Sequence, residues 1–267
     1  MTTNDAQIIT DAELVNQLAT QMTAEPEQVV ETRAPMGPEV SLPGGFLEAS
    51  GELIKNAEVR ELNGVDEEAI ANASSTGRAL NLLLQRGLVK IGNREATRDD
   101  LEALLSGDRD AILLAIRKVT FGETVDYDVI CPSCRSEHKV VIDLTKDVPV
   151  VGLDKPEDRT WTMDLKSGII TVALPTGVTQ RKLLENSDKT SAELNTILLA
   201  GCVMKVNSEP STGAATVLRL GMADRAKIVT EIIERNPGPR LGEVKKACEA
   251  CGEDISLPLS LVDLFRV

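Results

Sequence analysis

Cys131-Pro-Ser-Cys134 and Cys248-Glu-Ala-Cys251 are the residues of this chain whose type and spacing can do chemistry. Two residues between thiols put both sulfurs on one side of a tight turn, at the ~2.3 Å bond length and tetrahedral angle that zinc requires. Two such turns close a shell of four thiolates. A filled shell has no open position for water, so one structural Zn2+ per chain would stabilise rather than catalyse. The 113 residues between the pairs far exceed the ~15 to 20 of a local zinc ribbon, so the fold must bring the turns together. A redox pair and unmetallated thiols are the alternatives. His138, four residues after Cys134, could replace a sulfur, but a lone histidine at a strand start reads as solvent-facing.

Other chemistries find no support. Phosphate-loop and dinucleotide glycine patterns are absent, and a single histidine argues against the usual general base or nucleophile triad, so no catalytic residues are assigned. Adjacent acids such as Glu67 with Glu68 and Asp99 with Asp100 read as helix-start features. Arg135, Lys139, Lys245 and Lys246 flank the cysteines, but Glu137, Glu249, Glu253 and Asp254 cancel them into a solvated mixed-charge face. The net charge of -13 and the aromatic content of 2% oppose a phosphate backbone and supply no base-stacking platform. No apolar run approaches the ~18 to 20 residues of a membrane span, and the N-terminus lacks the order of a signal peptide. Five cysteines, two pairs and one single, fit a reduced compartment, so the expected location is the cytoplasm. No nucleic acid, membrane or small-molecule partner is expected.

The elements that must position the cysteines read as a tandem duplication. Val59, Gly64 and Val65 match Val172, Gly177 and Val178 at an offset of 113. Leu80, Asn81 and Gly87 match Leu194, Asn195 and Gly201 at 114, Arg109 matches Arg225 at 116, and Cys131 and Cys134 match Cys248 and Cys251 at 117. Such slow drift is what small loop insertions produce. The fold class is therefore α+β: a duplicated strand, helices and CxxC-hairpin unit, paired about a pseudo-twofold axis, with one four-cysteine zinc ribbon shared between the copies.

Residues 1–40 form an acidic, flexible arm, 41–147 repeat 1, 148–167 a connector and 168–267 repeat 2. In repeat 1, a strand is expected near Ile54 to Leu62, and Thr97 caps a helix whose Asp99 and Asp100 suit the positive end of its dipole. Asp108 starts the next helix and Gly122 stops it. "TVDYDVI" and "HKVVIDL" alternate as strands on either side of the first cysteine pair. In repeat 2, Asn236 and Pro237 break the matching helix. Cys202, opposite Leu88, reads as a small core residue. In the arm, Ile8, Ala12, Val15, Leu18 and Met22 share one helical face, and Ile8, Val15, Leu18 and Met22 are the candidate partner contacts.

The segments "VSLPGGFLEASGELIKNAEVRELNGVDEEAI", "GRALNLLLQRGLVKIGN", "LLSGDRDAILLAIRKVTFG" and "YDVICPSCRSEHKVVIDL", in that order, together resemble the baseplate hub assembly proteins of contractile-tailed, T4-like bacteriophages. The terminal "CEACGEDISLPLSLVDLF" agrees. The resemblance implies a non-enzymatic structural or assembly role in the baseplate of a phage tail or a related bacterial injection system, with other baseplate or tail hub proteins as partners. It also implies a place in the producing bacterium's cytoplasm or in the particle's baseplate. A transient assembly chaperone and a zinc-ribbon adaptor of transcription or translation are the other readings.

Overall fold

Two arginine-backed caps decide where two helices of the first half begin. The side chain of Asn63 accepts from the Val65 and Asp66 amides, while Asp66 accepts from the Asn63 amide at 3.0 Å. Arg60 then clasps the same carboxylate at 2.8 and 2.9 Å. Thr97 and Asp100 cap each other likewise, and Arg94 holds Asp100 at 2.7 and 2.9 Å. In both cases the order is Arg-x-x-cap-x-x-Asp. Each cap satisfies orphan amides of a first turn, worth about 1 kcal/mol.

The computed structural model describes residues 38–257 and 259–265. The stripe through Ile8, Val15, Leu18 and Met22 lies outside them. The first half runs β1 (Glu39–Leu47), β2 (Leu53–Val59), α1 (Gly64–Ala71), α2 (Thr76–Gly87), β3 (Leu88–Ile91), β4 (Arg94–Glu95), α3 (Arg98–Ala103), α4 (Ser106–Phe121), β5 (Thr124–Ile130) and β6 (Glu137–Asp143). After β7 (Val150–Val151) come β8 (Thr160–Leu165), β9 (Gly168–Ala173), α5 (Gly177–Glu185), α6 (Ser191–Cys202), β10 (Val203–Val206), β11 (Glu209–Pro210), α7 (Ala214–Val217) and α8 (Met222–Arg235). The chain closes with β12 (Gly238–Pro239), β13 (Lys245–Ala247), β14 (Asp254–Ser256) and α9 (Leu261–Leu264). The architecture is α+β.

Two four-stranded antiparallel sheets, ordered β1-β2-β3-β4 and β11-β10-β9-β8, each carry their helices in the same chain order. The strand expected near Ile54 to Leu62 ends at Val59, because Arg60 and the residues after it are taken up in the first cap. Residues 160–165, expected to belong to the connector, instead form β8. It pairs with β9 from Thr160↔Ala173 to Leu165↔Gly168, because Trp161, Met163 and Leu165 alternate inward.

The first long helix also differs from expectation. It starts at Ser106 rather than Asp108, and its preceding residue, Leu105, offers no side-chain cap. Asp108 lies one turn in, buried, and accepts instead from the Gly44 amide at 2.7 Å. That contact holds the irregular stretch of β1 between Ser41 and Phe46, where Gly45 takes φ 77°. Gly122 ends the helix as expected, at φ 91°.

The halves meet backbone to backbone. Ser106 N–H donates to the Pro175 carbonyl at 2.9 Å, and Gly177 N–H to the Leu104 carbonyl at 2.8 Å. Three apolar clusters follow. One lies under the first sheet around Val59, Leu84 and Ile112, and one under the second around Val172, Leu199 and Ile228. Cys202 is fully buried in the latter, where burial pushes its thiol up to about 12. The third lies beneath the cysteine hairpins and mixes residues of both halves. Each fully buried Ile or Leu contributes roughly 1.5–3 kcal/mol relative to exposure.

Candidate metal centre

The two CxxC turns are held by matching frames. Strands β5 and β6 pair without interruption from Thr124↔Asp143 to Ile130↔Glu137, so the last pair stands immediately before Cys131 and three residues after Cys134. Strands β13 and β14 end their ladder at Ala247↔Asp254, in the same place relative to Cys248 and Cys251. Inside each turn the backbone bonds repeat. Cys131 N–H donates to the Ser136 carbonyl at 3.0 Å and Arg135 N–H returns to the Cys131 carbonyl at 3.0 Å. Cys248 N–H donates to the Glu253 carbonyl and Gly252 N–H returns to the Cys248 carbonyl, both at 2.8 Å. The residue after each second cysteine is left-handed, Arg135 at φ 60° and Gly252 at φ 74°. Glycine adopts this conformation freely, whereas Arg135 does so at a steric cost.

The sequence separation closes in space. The Sγ atoms of Cys131, Cys134, Cys248 and Cys251 all lie within 4.8 Å of one another. The close contacts run between turns: Cys131 Sγ to Cys251 Sγ and Cys134 Sγ to Cys248 Sγ are each 3.7 Å. Four sulfurs at ~2.3 Å from one ion stand about 3.8 Å apart in a tetrahedron, so the donor set fits a tetrahedral, thiophilic cation. A disulfide sits at about 2.05 Å, well inside these separations, and all five cysteines are free. Cys131 and Cys248 are buried while Cys134 and Cys251 face outward.

The charges within the cluster also call for a cation. Burial opposes the Cys248 thiolate, but the Cys251 and Ala250 amides and the Ser136 hydroxyl outweigh it and bring the thiol down to about 5. At Cys251 the Glu253 amide favours the thiolate, yet burial and the neighbouring sulfurs prevail and hold the thiol up at about 12. Four thiolates this close repel, and a bound cation is what lets all of them ionise.

His138 departs from its solvent-facing expectation. It is half-buried, with Nε2 3.1 Å from Cys248 Sγ and 2.7 Å from Ser136 Oγ. Four sulfurs already complete a tetrahedron, so His138 supports a ligand rather than replacing one. Ser136, whose Oγ also lies 2.8 Å from Cys134 Sγ, was not singled out from sequence. Its position just past the knuckle was the available signal, and the matching residue of the second turn, Glu253, bears no hydroxyl.

Beneath the sulfurs, Leu114, Ile142, Val244, Ile255 and Leu264 pack around Cys131 and Cys248. Lys246 pairs with Asp147 at 2.6 Å, and Arg117 Nε donates to the Leu264 carbonyl at 2.6 Å. The hairpins of the two halves therefore share one core. Among the described residues, no other group of histidine, cysteine and acidic side chains gathers in a way that could hold a metal, and no helix is long and apolar enough to cross a membrane. A family model, T4 bacteriophage base plate protein, matches residues 59–266. No curated protein and no solved structure matches the chain.

Proposed function

The chain belongs to the T4 bacteriophage base plate protein family, and from that premise we propose that it is a non-enzymatic structural or assembly component of a contractile-tail baseplate, stapled by one zinc ion. The observation that carries the structural half of this reading is the four-sulfur cluster, drawn equally from turns 113 residues apart in sequence. Cys131, Cys134, Cys248 and Cys251 would hold the ion, which supplies cross-linking energy and no reactive water. What the chain's own residues do there is structural. The two ladders aim the thiols, Ser136 and His138 orient two of them, and the shared apolar core excludes water from the inner pair.

The parallel order of elements from Glu39 to Asp143 and from Thr160 to Ser256 supports the further reading that the halves are copies of one unit. On that reading the zinc sits on the pseudo-twofold relation between them. Domain limits then shift from the expected 41–147 and 168–267 to a first copy beginning at β1 and a second beginning at β8, near residue 160. The partners are other baseplate or tail hub proteins, and the place of action is the producing bacterium and the assembling particle.

The test is genetic and biochemical together. Deleting the gene should leave sheath and tube proteins made but unassembled into working particles. Purified particles from the wild type should retain the chain if it is a resident subunit and lack it if it is a transient chaperone. Particles of normal number and infectivity in the deletion strain would rule out an assembly role.

A further inference from the structure

A cavity of about 500 Å³ opens between α2, α3 and α5, lined by Arg78, Arg98, Arg109 and Arg181 against Glu102 and Glu185. Four guanidinium groups facing two carboxylates make this a positive pocket on a chain of net charge -13. Its inner wall carries a buried charge with no direct ion pair. Arg109 is 2% exposed, and all its hydrogen bonds go to neutral oxygens: Gln180 Oε1 at 2.6 Å, the Leu101 carbonyl and Asn81 Oδ1. Its counter-charges act at one remove: Gln180 relays to Asp110, donating from Nε2 at 2.6 Å, and Glu102 is held by both ends of the Arg181 fork at 2.8 and 3.2 Å, so both acids favour the Arg109 charge without bonding it. Burial pushes the Arg109 guanidinium down to about 10. A buried cation whose anions are held off by a neutral amide and by another guanidinium is incompletely compensated, and a carboxylate entering the cavity would add to that compensation.

The matching arginine of the second half makes the contrast. Arg225 bonds only neutral oxygens as well, but it is half-buried, so solvent can balance its charge. At the cavity mouth Arg78 and Arg98 are exposed, and Arg78 bonds only the Ser74 hydroxyl through Nη1. The Arg181–Glu102 fork shows on site the bidentate geometry by which a guanidinium takes a carboxylate.

We propose that this cavity is a docking site for a carboxylate-rich peptide segment of a partner protein, with Arg78 and Arg98 capturing acidic side chains at the mouth and Arg109 supplying the field behind them. The two glutamates in the wall disfavour a compact, multiply charged phosphate and suit a chain of separated single charges. That the occupant is a protein rests on the assembly reading. The binding test below uses the purified chain, so it can fail without that reading failing, and the reverse.

Hexaglutamate titrated into the isotope-labelled full chain at low salt, followed by amide shifts, should perturb α2, α3 and α5, and the binding should weaken steeply as salt rises. The double variant R78A/R98A should lose ten-fold or more in affinity, while K227A/K189A, an equal charge change elsewhere on the surface, should not. Neutral hexaglutamine should not bind. Absence of shifts with hexaglutamate, or equal affinity in R78A/R98A, would overturn the proposal. Inorganic phosphate competing as well as the peptide does would also overturn it, by making the cavity a general anion hole.

Discussion

Arg109 and Arg225 hold the same post in the two halves: each donates from Nη1 to the carbonyl eight residues before it, Leu101 and Val217 respectively. Each also reaches with Nη2 to a side chain of the helix packed beside it, Asn81 in one case and Thr196 at 2.8 Å in the other. A guanidinium thereby ties the long helix of each half to the short helix that precedes it, α3 or α7. Because Arg109 is buried and Arg225 only half-buried, R109M should cost about 3 kcal/mol and R225M about 1 kcal/mol in urea-unfolding midpoints at unchanged slope. Equal costs would mean that the two posts are not distinguished by burial.

Metal removal should unfold the hairpin core. The purified chain should contain about one zinc and release it with a thiol-reactive mercurial. C131S/C248S should abolish binding and lower the melting temperature sharply, since structural zinc contributes on the order of 10 kcal/mol toward the folded state. H138A should keep the stoichiometry but weaken the affinity by about 10-fold or more, read by chelator competition, because Cys248 loses a neighbour that orients it. Metal content near zero after gentle purification would refute the zinc reading.

Two carboxyls give opposite pH dependences. The Arg94 fork beside Asp100, reinforced by Thr97, outweighs burial and holds its carboxyl down at about 2. A depressed acid stabilises above its unfolded value, near 4, and that contribution is lost as pH falls from about 4 to 2. Burial pushes Asp108 up to about 6, the Gly44 amide only partly opposing it. Here the folded state binds the extra proton, so this group's contribution falls as pH rises from about 4 to 6. Asp110 is pushed up to about 6 by burial as well, so D108N should reduce, and not abolish, the slope of stability against pH over that upper window, while D100N should reduce it over the lower one. A D108N profile parallel to the wild type would sink the assignment.

The paired glycines Gly64 and Gly177 should respond differently to alanine. A Cβ on Gly177 would stand 2.1 Å from the Leu101 carbonyl oxygen, while one on Gly64 meets nothing within 4 Å. G177A should therefore cost about 2 kcal/mol or more, because backbone must move at the junction of the halves. G64A, at an open first helical turn, should be neutral or stabilising by about 0.5–1 kcal/mol. Thermal melts of both variants decide it.

What the sequence determined by itself was local chemistry. Thiols two residues apart, the Thr97 and Asp100 cap, the Gly122 stop, and the alternation through Val125, Tyr127 and Val129 act within a few residues, so type and spacing alone specify them. Trp161, Met163 and Leu165 alternate just as plainly, yet β8 was legible only once β9 supplied a partner, because a strand is stabilised by the ladder it joins. The tertiary structure alone decided three further things. It brought Cys131 within 3.7 Å of Cys251, turned His138 toward Cys248, and placed Arg109 without a direct ion pair behind an open cavity. Asp108 makes the same point: as a helix-start acid it looked like a cap, but the approach of β1 gave it the Gly44 amide instead. Each of these depends on which distant surfaces pack together and exclude water, and no spacing along the chain encodes that exclusion.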